Sequence, residues 1–297
     1  MAEADTRHRC GHVAIVGRPS VGKSTLLNAL VGARISITSR KPQTTRHRIS
    51  GILTEPGAQF IFVDTPGWQT QHRSRLNERL NRAVRDALAE VDVIVFAADA
   101  ARFGAQDREV LDLLPRDVPV VAALTKIDAL TDKRALLPRI AEIAALREFV
   151  AIVPISAEKG TDLIALKHAV AEALPPGPAL YEGDDITDRD ERFLAAEFIR
   201  EKIFRQLGDE VPYGTAVSIE SFEHDGGLRR IRATIFVAKT SQRAILVGEG
   251  GARMKTIASQ ARADMEGLFG GKVFLDVWVR VKRRWSDSDA MLTRLGY

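Results

Sequence analysis

The octapeptide Gly17-Arg18-Pro19-Ser20-Val21-Gly22-Lys23-Ser24 restricts this chain more than any other feature of its sequence. It fits G-x-x-x-x-G-K-[ST] and lies where that pattern requires. A short apolar run, Val13 to Val16, precedes it, and a segment with helical spacing, Ser24 to Leu30, follows. Glycine lets backbone N–H groups curl around phosphate oxygens, and the helix start adds the positive end of its dipole. Lys23 brings a charge to the β- and γ-phosphates of a nucleotide, the Ser24 hydroxyl suits Mg2+, and Thr25 completes the set.

The first half continues the alternation. Apolar runs at Arg46 to Leu53, Gln59 to Val63, Val93 to Ala97, Val118 to Leu124 and Ala151 to Ile155 are separated by helical stretches. This predicts an α/β, doubly wound, mostly parallel sheet, whose ligands bind at the carboxyl ends of the strands. One stretch spaces Leu76, Leu80, Val84 and Leu88 four apart, and Arg75, Arg79, Arg82 and Arg85 read as its solvated face. Pro175-Pro176-Gly177-Pro178 stops the last helix and opens an acidic linker, with a helix cap expected near Thr187 or Asp188. The order then changes to helix (190–207), strands (216–222 and 230–237), helix (252–267) and strand (272–282), an α+β domain. The expected division is a tail (1–10), a nucleotide domain (11–175), a linker (176–189) and a second domain (190–297).

Length agrees, since 297 residues suit two domains of roughly 100–200 residues each. A hydrophobic fraction of 45% and a charged fraction of 28% are those of a globular protein. The net charge of +4 and pI near 9.3 favour an anionic partner. A single cysteine, Cys10, makes no internal disulfide and fits a reducing, cytoplasmic compartment. The polar N-terminus argues against a secretory signal, and no run approaches the ~20 apolar residues of a membrane span.

Asp64-Thr65-Pro66-Gly67 follows the third strand candidate. A carboxylate there can hold Mg2+ through its water shell, and the Gly67 N–H can meet the γ-phosphate. Between the first helix and the second strand, Gln43-Thr44-Thr45-Arg46-His47 offers a threonine for the same ion, Thr45 being favoured over Thr44. That contact would order the loop with triphosphate and release it after hydrolysis. Lys23, Thr45 and Gly67 are the catalytic candidates, and Ser24, Thr45 and Asp64 the metal candidates. Where Ras-like proteins place a water-orienting glutamine the chain has Trp68, with Gln69 one residue out of register, so slow unaided hydrolysis is expected.

Thr125-Lys126-Ile127-Asp128 resembles the Asn-Lys-x-Asp motif of translation-factor-like GTPases, with threonine for the usual asparagine. The resemblance implies that Asp128 accepts two hydrogen bonds from guanine and that the Lys126 stem packs on the base. Ser156-Ala157 resembles the family's Ser-Ala motif, whose Ala157 N–H would contact guanine O6. Guanine specificity should survive Thr125 with some loss of affinity.

In the second domain, Gly248-Glu249-Gly250-Gly251 fits the G-x-x-G loop of KH domains and opens a helix that begins with Arg253 and Lys255. Such a loop clamps about four nucleotides through its backbone. Glu249 opposes phosphate, while Arg253, Lys255, Arg280, Lys282, Arg283 and Arg284 offset it. Ser241, Gln242 and Arg243 rank low as contacts. The element order resembles a type II KH domain.

The phosphate loop, Gln-Thr-Thr-Arg-His, Asp-Thr-Pro-Gly, Thr-Lys-Ile-Asp, Ser-Ala-Glu-Lys-Gly and G-x-x-G together resemble the Era family of bacterial ribosome-assembly GTPases. That resemblance implies GTP and GDP as ligands, Mg2+ as cofactor and binding near the 3′ end of small-subunit ribosomal RNA. It further implies a role in small-subunit maturation, a cytoplasmic monomer and peripheral membrane association. Potassium-activated relatives carry asparagine at the position of Ser20, which argues against K+ here. The competing reading makes the C-terminal domain a protein- or membrane-docking module, with Glu249 as its support.

Overall fold

Each apolar run of the first half becomes a strand, and the polar, helix-spaced stretches between them become helices. A computed structural model describes residues 8–39, 41, 43–68, 75–208 and 211–296. In chain order the elements are β1 (Arg9–Val16), α1 (Lys23–Val31), β2 (Ile49–Glu55), β3 (Ala58–Asp64), α2 (Arg75–Ala89) and β4 (Val93–Asp99), then α3 (Ala105–Leu113), β5 (Val120–Thr125), α4 (Leu136–Ala144), β6 (Ala151–Pro154) and α5 (Leu163–Ala173). The sheet order is β2-β3-β1-β4-β5-β6, with β2 antiparallel to β3 and every other pair parallel. Helices cover both faces of such a sheet, which is why β3, β4 and β5 are buried along their whole length and read as continuous apolar runs. The second strand begins at Ile49, three residues later than its composition suggests.

The chain divides into two compact units: Met1–Ser36, Thr45–Gln71 and Leu80–Asp188, and then Ile37–Thr44, His72–Arg79 and Arg189–Tyr297. Thr187 and Asp188, expected to cap a helix, instead bond Ser50: Thr187 Oγ1 donates to the Ser50 carbonyl at 2.8 Å and Ser50 Oγ to Asp188 Oδ2 at 2.9 Å. The cap is Asp190, whose carboxylate accepts the Phe193 N–H at 2.7 Å.

Unit two contains α6 (Glu191–Gln206), β7 (Thr215–Asp225), β8 (Leu228–Val237), α7 (Thr240–Val247), α8 (Ala252–Phe269), β9 (Lys272–Val281) and α9 (Asp289–Arg294). Its sheet runs β7-β8-β9, antiparallel then parallel, and Ile199, Ile203, Ile231, Ile235, Ile257 and Met265 are core residues. Helix α7 was not expected from the sequence. It is eight residues long and buries one side chain, Leu246, so it lacks a periodic signal. Gln242 makes it possible by accepting the Ala238 and Lys239 N–H groups at 2.9 and 3.0 Å through its side-chain oxygen. No helix among the described residues is long and apolar enough to cross a membrane.

An ion pair lies inside this unit: Arg200 donates to both oxygens of Glu197 at 2.8 and 2.5 Å, with both side chains almost fully buried. Removing one partner strands the other charge in a medium of low dielectric. Glu197→Ala is therefore expected to cost about 3–5 kcal/mol in urea denaturation of the full chain. A loss below about 1 kcal/mol would mean that the guanidinium finds water or another acceptor.

Candidate nucleotide site and nucleic-acid loop

Four loops leave the carboxyl ends of β1, β3, β5 and β6, and these loops and the strand ends before them carry every residue proposed for the nucleotide except Thr45 and the α1 residues. The phosphate loop turns back through Ser20 (φ 63°) and Gly22 (φ 103°), the latter lying directly before α1. Gly17 is required sterically, since a Cβ there would sit 2.3 Å from the Ala97 carbonyl oxygen. Gly67 approaches the same loop, and a Cβ on it would fall 2.9 Å from Pro19 Cα.

Lys23 is buried, and its ammonium donates to the carbonyls of Gly17 and Arg18, both at 3.0 Å. Burial pulls its pKa down to about 8, with Asp64 acting against that shift and Arg18 with it. Arg18 is itself anchored on Asp107, at 3.1 Å.

The centre of the site is Asp64, fully buried at the end of β3. Its Oδ2 accepts from Ser24 Oγ at 2.7 Å, Ser36 Oγ at 2.7 Å and Thr45 Oγ1 at 3.3 Å. Ser24 and Thr45 also bond each other at 2.8 Å. Burial raises the carboxyl pKa, while the hydroxyls of Ser24, Ser36 and Thr45 and the charge of Lys23 work the other way. Oδ1 is buried and makes no hydrogen bond. Hydroxyl and carboxylate oxygens around an unsatisfied carboxylate lone pair fit Mg2+, a hard ion that keeps several waters and takes phosphate oxygens. Among the described residues no cluster of three His, Cys, Asp or Glu side chains exists to hold a metal by protein ligands alone.

Thr44 turns elsewhere. Its hydroxyl donates to the Lys41 carbonyl at 2.7 Å and meets Ser39 Oγ at 2.6 Å, which leaves Thr45 as the threonine beside Asp64. Trp68 packs on the apolar cluster of Val84, Leu88 and Phe96, with the Arg85 guanidinium 5.2 Å from its ring centroid. Arg85 is thus a stacking partner, not simply part of a solvated face. Gln69 lies outside the described residues.

At the base end, the buried Thr125 hydroxyl donates to the Val21 carbonyl at 2.6 Å and lies 3.2 Å from the Ala98 carbonyl. It ties β5 to the phosphate loop. Lys126, at φ 61°, reaches the Ser20 carbonyl at 2.6 Å and Asp99 at 3.1 Å. Burial works to raise the Asp99 pKa, but the bond and charge of Lys126 outweigh it and hold the carboxyl low. Asp128 is exposed, Ser156 is buried, and Ala157 lies between those extremes. Ser156 exchanges backbone bonds with Thr161, and its hydroxyl accepts the Lys159 N–H at 3.2 Å.

In the second unit Gly248, Gly250 and Gly251 all have positive φ (73°, 55° and 79°) and join α7 to α8. Gly248 lies against Arg253, whose Cβ would be 2.8 Å from an added one. The Arg253 guanidinium donates back to the Ile245 carbonyl, so it closes the end of α7 instead of pointing freely to a ligand. Lys255, Arg280, Lys282 and Arg283 are exposed.

A family model described as a 50S ribosome-binding GTPase matches residues 12–126, and a KH domain model matches residues 210–286. The GTPase Era of Nitrosomonas eutropha is 53% identical over 290 residues, covering 98% of each chain. That of Chromobacterium violaceum is 52% identical over 292 residues, covering 98% of this chain and 99% of its own. The chain belongs to the Era GTPase family. Two crystal structures agree, each at TM-score 0.94 and 37% identity. One is a variant Era of Aquifex aeolicus bound to GDP·AlF4−, covering 97% of this chain and 99% of its own. The other is Era with MgGDPNP and nucleotides 1506–1542 of 16S ribosomal RNA, covering 98% and 99%. The chain is thus a GTPase with a P-loop domain on a mostly parallel sheet and a C-terminal KH domain.

Ser36, Asn28, Asp99 and Asp107 were not expected in the site. Asn28 Oδ1 accepts the N–H groups of Ile35 and Ser36 at 3.1 and 2.9 Å, which positions Ser36 on Asp64. Nothing in the order of residues marks that pair, whereas Asp99 ends a parallel strand and was open to inference.

Lys23 yields a pH prediction. Below about 8 it is protonated, and above that the free site loses the proton that phosphate binding needs. Nucleotide affinity should therefore fall as pH rises from 8 to 9, by up to about tenfold per unit. Stability of the free protein should move the opposite way, rising between about 8 and 10.5 because the unfolded chain holds the proton there. Titration of a fluorescent GDP at several pH values checks the first trend, and a Lys23→Met chain, weaker throughout, should lose it. For Thr125→Val, loss of the tie to Val21 should weaken GDP binding by about five- to tenfold. Unchanged affinity would show that the bond is dispensable.

Proposed function

We propose that the chain is a GTP-operated RNA switch that binds small-subunit ribosomal RNA near its 3′ end and assists maturation of the small subunit. The carrying observation is the meeting of Ser24, Thr45 and Asp64, which joins the phosphate loop, Thr45 and the end of β3 at one carboxylate. Ser24, Thr45 and Asp64 would hold Mg2+, Asp64 through water. When bound, that ion would supply positive charge against the charge that develops on the phosphate oxygens.

This chain's own residues divide the remaining work. Residues 17–25 cradle the phosphates, Lys23 contributes charge, and the Thr45 and Gly67 N–H groups meet the γ-phosphate. Thr65 and Pro66 shape that turn, the Thr65 hydroxyl donating to the Ile15 carbonyl at 2.9 Å. Asp128 selects guanine, with Lys126 along the base and Ser156-Ala157 at O6. Trp68 offers no group to orient water, so hydrolysis is slow until RNA or another activator supplies what is missing. The 37–44 segment belongs to the second unit, where the Thr38 N–H donates to the buried Glu201 of α6 at 2.9 Å. Thr45, the next residue, lies beside Asp64. If ordering of Thr45 by GTP changes RNA binding, linkage requires RNA to alter nucleotide affinity in return.

RNA contacts are assigned to the backbone of Gly248, Gly250 and Gly251, to Lys255, and to Arg280, Lys282 and Arg283, with Arg253 buttressing the loop. Era bound to a 16S fragment supports this reading.

The test is binding of the 3′-terminal small-subunit RNA against a shuffled control, with GTP analogue, GDP or no nucleotide. If four phosphates are neutralised on a single strand, affinity should fall about 50-fold between ~50 and ~200 mM salt. Equal or absent binding in every state would refute the coupling and favour a protein- or membrane-docking domain. Hydrolysis measured in potassium and in sodium buffer tests K+ activation, which the family makes plausible and Ser20 puts in doubt. For nucleotide choice, Asp128→Asn should weaken GTP binding by at least about tenfold through loss of a charged acceptor. GTP retained at wild-type affinity would remove Asp128 from the site.

A further inference from the structure

The face of the KH sheet turned away from its helices carries a pattern that the G-x-x-G loop does not use. Ile231, Ala233, Ile235 and Val237 of β8 and Val273, Leu275, Val277 and Val279 of β9 pack into the core. Alternation sends Arg230 and Arg232, the buried Thr234 and Phe236, and Lys272, Phe274, Asp276, Trp278 and Arg280 to the opposite face, which is thus open along β9 and the first half of β8. There Phe274 is 51% and Trp278 62% exposed, unusual for large aromatics on a regular strand.

Neighbouring groups prepare both rings. Arg230 stands beside Phe274 in register, its guanidinium 5.9 Å from the ring centroid and paired with Asp225 at 3.0 Å. The Trp278 indole N–H donates to Asp276 Oδ2 at 3.0 Å, which fixes the ring while leaving its surface open. That bond also occupies the one carboxylate among these β9 residues. Among the described residues Arg232, Arg280 and Lys282 form no ion pair, so their charge is free for an anion. Exposed rings are found at protein interfaces as well, but rings set beside uncommitted cations match the pairing of bases with phosphates along a single strand, and that charge is what favours RNA. β9 is the edge strand, and α7 and α8 pack on its inner side. A strand held at the loop between those helices therefore has a short route over the edge.

We propose that this face is a second surface for single-stranded RNA, on which Phe274 and Trp278 each stack a base while Arg232 and Arg280 take adjoining phosphates. The inference rests on the KH unit being an RNA binder. Four residues of strand separate the rings by about 13 Å. Stacked bases lie about 3.4 Å apart, so the two rings serve different bases. The bound RNA must then be longer than the loop's four-nucleotide clamp.

The experiment uses the full chain with a GTP analogue and two single-stranded RNAs of one sequence, roughly 4 and roughly 16 nucleotides long. The double variant Phe274→Ala/Trp278→Ala should bind the long RNA about tenfold or more weakly and the short one as wild type does. Trp278→Phe, which keeps a stacking ring, should stay within about threefold of wild type. A 4-thiouridine probe in the long RNA should crosslink to Phe274 or Trp278 as well as near Gly248 to Lys255. Equal loss for both RNAs, or none for either, overturns the proposal. If wild type binds neither RNA, the KH reading falls with it. Should the double variant melt early, crosslinking on the wild-type chain decides, and adducts confined to residues 248–255 reject the surface.

Discussion

A fully buried carboxylate at the end of β3 organises the nucleotide domain. Taking Asp64 out of water is costly, and the site meets that cost with three hydroxyls and the nearby Lys23 ammonium. Those groups come from the first turn of α1, the loop after it and the segment before β2, so one side chain gathers three stretches of backbone. Strand register puts Asp64 opposite Ile15 on one side and Ile49 on the other, which fixes the carboxylate beside the phosphate loop. Even so Oδ1 lacks a partner, and this residual debt is what makes the pocket receptive to a cation with its own water. Lys23 follows the same logic with opposite sign: burial weakens its hold on the proton, and phosphate oxygens would restore it.

The parts legible in the sequence were those with periodicity or a fixed spacing. Central strands bury both faces and appear as unbroken apolar runs, and the phosphate loop needs Gly17, as the turn after β3 needs Gly67, for steric reasons. Residues that act across loops were not legible. Ser36 reaches Asp64 only because Asn28, eight positions earlier, binds two of the loop's N–H groups. The choice between Thr44 and Thr45 depends on which hydroxyl turns toward Asp64, and adjacent identical residues carry no such information. Helix α7 escaped notice because one buried leucine makes no pattern, and what forms it is the Gln242 cap.

Departures from the usual motifs have different consequences. Thr125 keeps the link between β5 and the phosphate loop with a single hydroxyl hydrogen, shared between the Val21 and Ala98 carbonyls. An asparagine amide has two hydrogens to give, so threonine weakens the brace without removing it. Trp68 is a larger change, because a ring seated on the apolar cluster and stacked by Arg85 exchanges water positioning for packing.

Glu249 is harder to reconcile with RNA, and the backbone resolves it. Three left-handed glycines bring main-chain atoms, not side chains, to the surface of the loop, and the exposed carboxylate can turn to solvent while they approach a phosphate. On the proposed reading such a loop offers RNA its backbone more than its charge, since Arg253 is spent on closing α7, and further affinity would come from along the strand. The uncommitted cations at Arg232, Arg280 and Lys282 and the open rings of β9 lie on the next surface that a longer RNA would meet. An acidic G-x-x-G loop and an exposed aromatic sheet face are, on this view, complementary features of one binding path.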